Sequence, residues 1–289
     1  MPVLTEALGS EYEPRTVEVT PRMLLAFAAG IGEVGVRTFD DRAEMFVASR
    51  CFCASLEWPV LSQGRRSSLL GLSQDEMRQG VHVEQDSTFH RLIRPGDRLT
   101  TEGRIVGISG TSAGALVQSK LLTTDLTDGA PVTTTWCRTI FRGVALAGDG
   151  GITERSPACP GAADPLTNSV QIPIAREAAH VYTECSGIWN PIHSEHRVAV
   201  AAGLPGIILH GTAIWALAGR ELVRHYAGGD LERLLRLRAR FRAPVIPGTV
   251  VTLHHGAASS GCDVHFAMHL EDGRIAASDG YASFATGAE

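Results

Sequence analysis

The chain contains 289 residues, 44% of them hydrophobic, which suits two domains or one large domain around a buried core. Its formal net charge of −5 argues against a nucleic-acid-binding protein, because binding to phosphates requires a positive excess. No apolar run approaches the roughly twenty residues of a membrane helix, and the acidic N-terminus does not resemble a signal peptide. The six cysteines lack a C-x-x-C pair and metal-type spacing. We therefore expect a cytoplasmic protein with reduced thiols, no metal site and no membrane contact.

The first half of the chain predicts one helix followed by an antiparallel sheet. Residues 19–29 form an amphipathic pattern that begins at Thr20-Pro21, a suitable N-cap and first-turn proline. Residues 33–79 are harder to place. Runs typical of β-strands follow at 82–92, 99–108, 113–124 and 131–141. Asp128-Gly129 lies between the last two runs and predicts a hairpin.

The second half repeats this order after residues 146–170, whose Gly, Pro, Ala and Ser content is typical of a linker. A helical stretch at 175–183 comes first, and Asp272-Gly273 occupies the hairpin position of the second half. Strand-like runs lie at 235–242, 250–257, 262–270 and 274–284. The repetition predicts an α+β fold made of two fused repeats, at residues 1–145 and 171–289.

The central stretch, residues 182–218, combines features that predict a reactive site. Ser186-Gly187 ends a helical pattern, and the following N-P-I-H turn presents His193. Gly211 then opens an apolar helix that we expect to run to about residue 226. A histidine followed within twenty residues by a helix N-terminus places a general base near free backbone N–H donors. Such donors stabilise a carbonyl oxygen that gains negative charge.

This stretch resembles the MaoC-like dehydratases, the family that includes the (R)-specific enoyl-CoA hydratases. The family pattern is approximately Y-x-x-x-S-G-D-x-N-P-x-H, an alanine-rich segment ending in A-G, and P-I-x-H-G. Here it reads YTECSGIWNPIH at 182–193, then Ala202-Gly203, then GIILHG at 206–211. His82 and the R-P-G-D sequence at 94–97 are similar to the family's other repeat.

The resemblance implies a double hotdog, in which each antiparallel sheet wraps around a long helix. It also implies an acyl thioester substrate, with coenzyme A or an acyl carrier as part of the substrate and no separate cofactor. The second repeat, 171–289, would carry the site. Hotdog sheets usually pair, and here they could pair within one chain, so a monomer and a homodimer both remain open.

One position departs from the family pattern, because Ile188 stands where the family has its catalytic aspartate. Isoleucine neither accepts nor donates a proton. Three carboxylates are candidate replacements: Glu184, which is slightly preferred, Glu195 and Glu33.

The predicted catalytic residues are His193, Asn190 and Gly211. His193 would be the acid/base, with a turn-capping histidine as the alternative. Asn190 would orient water or, by a slightly favoured reading, bond its own loop. Gly211 would donate its N–H to the thioester oxygen at the start of the helix, where the macrodipole favours negative charge.

The predicted substrate-binding residues fall into two groups. Ile188, Trp189 and His210 follow from the motif, although His210 also fits a structural histidine and Trp189 a core residue. Arg236, Arg238, Arg240 and Arg242 alternate with apolar residues, so they share one face of a strand. They could bind the phosphates of coenzyme A or form a solvated, charged edge.

The sequence therefore predicts a lyase that hydrates a 2-enoyl thioester or dehydrates a 3-hydroxyacyl thioester. Two alternatives remain. The first is a degenerate hotdog that binds acyl thioesters or a partner subunit. The second is a related thioesterase or isomerase.

Overall fold

The computed structural model describes residues 1–62, 64–160, 165–258 and 261–286. The α-helices are α1 (Pro21–Gly30), α2 (Val36–Phe39), α3 (Cys53–Leu61), α4 (Gly64–Leu70), α5 (Gln74–Arg78), α6 (Ala178–Ser186), α7 (His196–Ala201) and α8 (Gly211–Ala227). The strands are β1 (Val3–Leu4), β2 (Arg15–Glu18), β3 (Gly80–Phe89), β4 (Arg98–Thr111), β5 (Gly114–Asp125), β6 (Pro131–Arg142), β7 (Leu146–Ala147), β8 (Gly151–Ile152), β9 (Asn168–Pro173), β10 (Leu234–Phe241), β11 (Val250–Ala257), β12 (Asp263–Leu270) and β13 (Ile275–Phe284). Among the described residues, no helix has the length and apolar character that a bilayer crossing needs.

One large sheet contains two repeats of the same topology. Its strand order is β2-β4-β5-β6-β3-β10-β13-β12-β11-β9, with β8 beside β4. The order reads identically from either end, because β2 corresponds to β9, β3 to β10, and β4–β6 to β11–β13. Helices α1 and α6 occupy equivalent positions, and their Phe27 and Tyr182 rings lie 6.0 Å apart. The prediction of a double hotdog built from two fused repeats is confirmed.

The helices inside the two repeats differ. In the second repeat, the 17-residue α8 crosses the sheet, and its Trp215 and Leu222 are fully buried. In the first repeat the equivalent space holds the nine-residue α3, which contains Pro59 near its end. Proline lacks the N–H of an interior helical residue and so weakens the helix there. The expected long helix is therefore present in the second repeat but not in the first.

The segment between the repeats lies against the first repeat and the sheet junction. Strand β7 pairs with β1, and β8 pairs with β4. Strand β9 begins at Asn168 and pairs with β11. The predicted repeat boundaries at 145 and 171 are not tested by these pairings and stay a prediction.

The two repeats join where β3 and β10 pair antiparallel, a junction that we call the seam. Their outward-facing side chains form ion pairs across it. Arg236 donates to both oxygens of Asp86 at 2.8 and 2.7 Å, and Asp86 is only 1% exposed. Glu84, also buried, lies within ion-pair distance of Arg138, Arg238 and Arg240. Buried carboxylates thus have cationic partners from the opposite repeat, as charges removed from water require.

We predict that Arg236→Met destabilises the protein strongly, because it leaves the buried Asp86 carboxylate without its partner. The free energy of unfolding should fall by about 3–5 kcal/mol, measured from urea transitions. Arg274→Gln is the matched control, since Arg274 pairs with Asp272 in a solvent-exposed hairpin. It should leave the transition unchanged. Equal transitions for the two variants would contradict a stabilising role for the seam.

Candidate active site

The end of α6 sets the course of the chain into the site. Gly187 follows the helix with a φ of 70°, a left-handed conformation that favours glycine. The Ser186 hydroxyl donates to the Tyr182 carbonyl at 2.6 Å and accepts from the Ile188 N–H at 3.2 Å. These bonds turn the chain directly after the helix, so that Ile188 lies against the interior with 5% of its surface exposed.

The N-P-I-H sequence forms a short 3₁₀ turn at Pro191–His193. The Asn190 side chain accepts from the Ile192 N–H at 3.4 Å, which caps the turn, and the His193 N–H donates to the Asn190 carbonyl at 3.0 Å. Asn190 also lines the cavity described below. The contacts support the turn-capping reading of Asn190, and a catalytic role for it stays a prediction.

The hydrogen bonds of His193 determine which of its ring nitrogens is basic. Its Nδ1 lies 2.8 Å from the Ile208 carbonyl oxygen. Because a carbonyl only accepts, Nδ1 carries the proton, and Nε2 of the neutral ring holds a free lone pair. Burial of the ring lowers the pKa of His193 to about 4, although the bond to Ile208 acts in the opposite direction. His193 is therefore a neutral base at pH 7.

His210 is the second histidine of the site and lies directly beside the first. The two rings are stacked with centroids 3.6 Å apart. The His210 Nε2 donates to the Ile188 carbonyl at 2.9 Å, and burial lowers the pKa of His210 well below its usual value. Its Nδ1 is buried without a hydrogen-bond partner among the described residues. His210 is 2% exposed and packs against His193 as a neutral ring, which fits the structural alternative.

Gly211 is the first residue of α8, so its N–H has no acceptor within the helix. The absence of a side chain is required here, because a Cβ at Gly211 would lie 2.7 Å from the Phe241 ring. The amide lies at the positive end of a 17-residue helix whose first turn contacts the same cavity as His193. It is a suitable donor to an oxygen that gains negative charge.

A cavity of about 740 Å³ contains these groups and is bounded by both repeats. From the second repeat, Ile188, His193 and Gly211 line it, and from the first, His82 and Phe141. Trp189 lies at its edge with 57% of its surface exposed, so it is not a core residue. Such a volume suits a mostly apolar ligand with a few fixed polar contacts.

None of the proposed replacements for the missing aspartate lines this cavity. Glu184 and Glu195 are exposed on the surface. Glu33 contacts neither His193 nor the cavity, and its electrostatic partners are Ser49 and Arg220. Among the described residues, the carboxyl group that lines the cavity is Glu57 of α3.

Sequence reasoning missed Glu57, because residues 33–79 gave no periodic pattern. It is 3% exposed, and its oxygens accept from Thr135 Oγ1 at 2.5 Å and Gln85 Nε2 at 2.9 Å. Gln85 also donates to Ser87, which bonds Thr135 and closes the network. Burial raises the pKa of Glu57. The closed network holds α3 against β3 and β6, so we assign Glu57 a structural role.

The expected phosphate-binding role of Arg236, Arg238 and Arg240 is not supported. These three side chains form the seam ion pairs and do not line the cavity. Arg236 also donates to the carbonyls of Pro157 and Ala158, so its guanidinium is occupied. The period of two correctly placed them on one face. Their shared carboxylate partners, Glu84 and Asp86, lie in the other repeat, and Arg240 also pairs with Asp279 of its own repeat.

Two arginines do line the cavity: Arg242, the last arginine of the predicted run, and Arg142, which the sequence did not single out. Both are exposed: Arg142 donates to the Ala202 carbonyl, and Arg242 donates to Ser278 and forms an ion pair with Asp279. The Arg142 guanidinium, which has no ion pair among the described residues, gives this part of the cavity a positive charge.

Comparison with known proteins matches each repeat to a dehydratase family model. The model of the MaoC like domain matches residues 161–277, and that of the FAS1-like dehydratase domain region matches residues 6–135. A Mycobacterium tuberculosis protein named 3-hydroxyacyl-thioester dehydratase Y is 30% identical, over 87% of each chain. A Dictyostelium discoideum protein named probable enoyl-CoA hydratase 2 is 26% identical, over 79% of this chain and 77% of that protein.

The fold is also shared with a solved structure. The MaoC-like dehydratase from Phytophthora capsici superposes with a TM-score of 0.82 at 23% identity, over 98% of each chain. At 23% identity, this similarity shows that the two proteins share a fold.

We predict that His193 titrates at about pH 4, because burial opposes its cation. An NMR pH titration of the ring Cε1–H resonance measures this, with His193→Gln to assign the signal. In the unfolded chain His193 should have an ordinary pKa of about 6.5, so below this pH the unfolded chain binds a proton that the folded chain does not bind. Stability should therefore fall as pH drops from about 6.5 to 4. A His193 pKa near 6.5 would contradict the buried, neutral ring.

Proposed function

The chain belongs to the MaoC-like dehydratase family, and from this membership we propose that it adds water reversibly to the double bond of a 2-enoyl thioester. The enzyme is thus a lyase of acyl thioesters, acting by hydration or by the reverse dehydration. The observation that supports the proposed residue roles is the His193 tautomer: its basic Nε2 belongs to a ring that lines the cavity beside the Gly211 N–H.

In the proposed mechanism the Gly211 N–H binds the thioester oxygen. Polarising this carbonyl makes C3 of the enoyl group electrophilic. His193 Nε2 takes one proton from a water molecule, and the remaining hydroxide bonds to C3 while the π electrons move to the thioester oxygen. That oxygen is an enolate at this point, and the unpaired amide at the α8 N-terminus stabilises it.

The proton taken from water returns to C2, which completes the addition. With Ile188 in place of an acid, we propose that the same His193 imidazolium delivers it. One group then acts first as base and then as acid, so the hydrogen added at C2 and the hydroxyl added at C3 derive from one water. An acid–base group typically contributes about 10²–10⁴-fold to a rate. A site with one such group should be slower than one with two.

The carrier part of the substrate fits the part of the cavity that Arg142 makes positive. We propose that Arg142 and Arg242 contact the phosphates of coenzyme A or of an acyl carrier prosthetic group. We propose that no redox cofactor takes part, because adding water transfers no net electrons between substrate and protein. The seam already pairs the two hotdog repeats within one chain, and we propose that a monomer is sufficient for the site.

A second function is favoured by one observation, the apolar Ile188 side chain inside the cavity. A degenerate site that binds acyl thioesters without converting them would keep the cavity and the Gly211 donor but not need a carboxylate. Direct assay of the unmodified protein distinguishes the two functions.

We predict that purified protein hydrates 2-enoyl-CoA, followed as loss of the conjugated enoyl absorbance. His193→Ala should lower kcat/KM by about 10²–10⁴-fold, because it removes the base. His196→Ala is the matched control, since His196 begins the neighbouring helix α7 and does not line the cavity. Full activity in His193→Ala would contradict the assignment. Release of free thiol without loss of the enoyl group would indicate hydrolysis instead.

We predict that Ile188→Asp increases the hydratase rate, because a carboxylate there can share proton transfer with His193. Its charge should also raise the pKa of His193 above about 4, since a nearby anion favours the imidazolium. Ile188→Asn is the matched control of similar size without the charge. If the unmodified protein has no hydratase activity and Ile188→Asp is active, the degenerate site is supported. An equal effect of both variants would contradict a role for the carboxylate.

A further inference from the structure

Arg66 is a buried arginine whose role the hydration reaction does not explain. It lies in α4, lines the cavity and is only 7% exposed. Its Nη2 donates to Thr139 Oγ1 at 3.1 Å and its Nη1 to the Leu61 carbonyl at 3.4 Å. Its Nε is buried without a hydrogen-bond partner among the described residues. Arg66 thus lines the cavity, while its Nε–H is enclosed without a hydrogen-bond partner.

The rings that contact Arg66 carry no negative charge, and the Glu57 carboxyl group, which lines the same cavity, is held by its own hydrogen-bond network. Arg66 lies over the rings of Tyr12 and Phe141, at 5.9 and 5.8 Å from their centroids. Burial raises the pKa of Tyr12, and it raises the pKa of Cys137 to about 12, so both groups are neutral at pH 7. In the part of the chain that the structure describes, no carboxylate forms an ion pair with Arg66, in contrast to Arg236 and Asp86.

Arg50 shows how a structural arginine of equal burial is held. It is also 7% exposed, but it does not line the cavity. Its Nε and Nη2 donate to the carbonyls of Leu231 and Glu232, and the carboxylates of Glu232 and Asp230 act on its charge. Its Nη1 is buried without a hydrogen-bond partner among the described residues, as is the Nε of Arg66, so the two arginines differ in their nearby carboxylates. Burying a cation without a counter-ion is unfavourable. The Arg66 charge therefore lacks a partner in a place where a ligand can supply one.

Phe241 and His82 connect the surroundings of Gly211 with those of Arg66. The Phe241 ring covers Gly211, and His82 packs edge-on against Phe241 with centroids 5.3 Å apart. The charge of Arg66 acts on His82, where it adds to the burial that lowers the pKa of His82 to about 4. A linear acyl group held at Gly211 could extend past Phe241 and His82 towards the guanidinium.

We propose that Arg66 binds a carboxylate at the distal end of the acyl group, so that the enzyme acts on 2-enoyl or 3-hydroxyacyl thioesters that carry a second, free acid. This proposal rests on the proposed function. A guanidinium holds a carboxylate through two parallel N–H donors, and Nη1 and Nη2 of Arg66 each carry a second N–H beyond those given to Leu61 and Thr139. One carboxylate would neutralise the charge of Arg66.

The test is a kinetic comparison of 2-enoyl-CoA thioesters of increasing length, each with a terminal methyl group and with a terminal carboxylate. At its best length the acidic member should have a kcat/KM about tenfold or more above its neutral counterpart. Arg66→Met should abolish this ratio. Arg50→Met is the matched control and should leave the ratio unchanged, because Arg50 lies outside the cavity.

Thermal unfolding without ligand separates binding from a structural role. Arg66→Met should have an unchanged or higher Tm, since it removes an unpaired buried charge, whereas Arg50→Met should have a lower Tm. A lower Tm in Arg66→Met with equal loss of both substrate types would show a structural residue and overturn the proposal.

The same comparison with N-acetylcysteamine thioesters identifies the source of the anion. A preference for the acidic member that persists without coenzyme A places the bound group on the acyl chain, as proposed. If the effect of Arg66→Met occurs only with coenzyme A, Arg66 binds a carrier phosphate and the proposal is wrong. Turnover of neutral thioesters without acid preference would overturn the proposal and leave the hydratase function intact. Failure to convert any thioester would reject the function itself.

Discussion

The antiparallel seam between β3 and β10 is the constraint on which the site depends. Side chains alternate along a strand, so Glu84 and Asp86 face the arginines of β10 on the outer surface, whereas Gln85 faces inward. If β3 shifted by one residue against β10, the charges of Glu84 and Asp86 would turn into the cavity, and the side chains that now line it would turn outward. The ion pairs therefore specify the register of the seam, and the register determines which groups of the first repeat meet His193.

Backbone carbonyls hold both histidines of the site. His193 donates to Ile208 and His210 donates to Ile188, so neither ring depends on an acidic side chain for its tautomer or orientation. This arrangement explains how the site keeps its geometry with isoleucine at position 188. The same arrangement leaves the rings without an anion, and burial then keeps them neutral. His193, as the proposed base, would therefore carry a positive charge only while it holds a proton during the reaction.

Features encoded within a few residues could be predicted from the sequence, and features that join the two repeats could not. Thr20-Pro21 begins α1, both Asp-Gly pairs lie in hairpins, and the N-P-I-H turn presents His193 as expected. The partners of Arg236, Arg238 and Arg240 lie about 150 residues away in sequence. Arg66 and Glu57 come from residues 33–79, where short helices and an internal proline gave no hydrophobic period. Their burial is a property of the assembled repeats.

The matched strand order of the repeats has a consequence for how the site could diverge. In a dimer of identical chains each substitution appears twice, so a residue useful on one side of the cavity is imposed on the other. Here the covalent link removes that restriction. The second repeat carries His193 and the Gly211 amide, whereas the first carries a shorter helix and Arg66, which has no ion pair among the described residues. Tandem repeats thus permit the roles proposed above, reaction and selection of substrate, to be divided between the two halves.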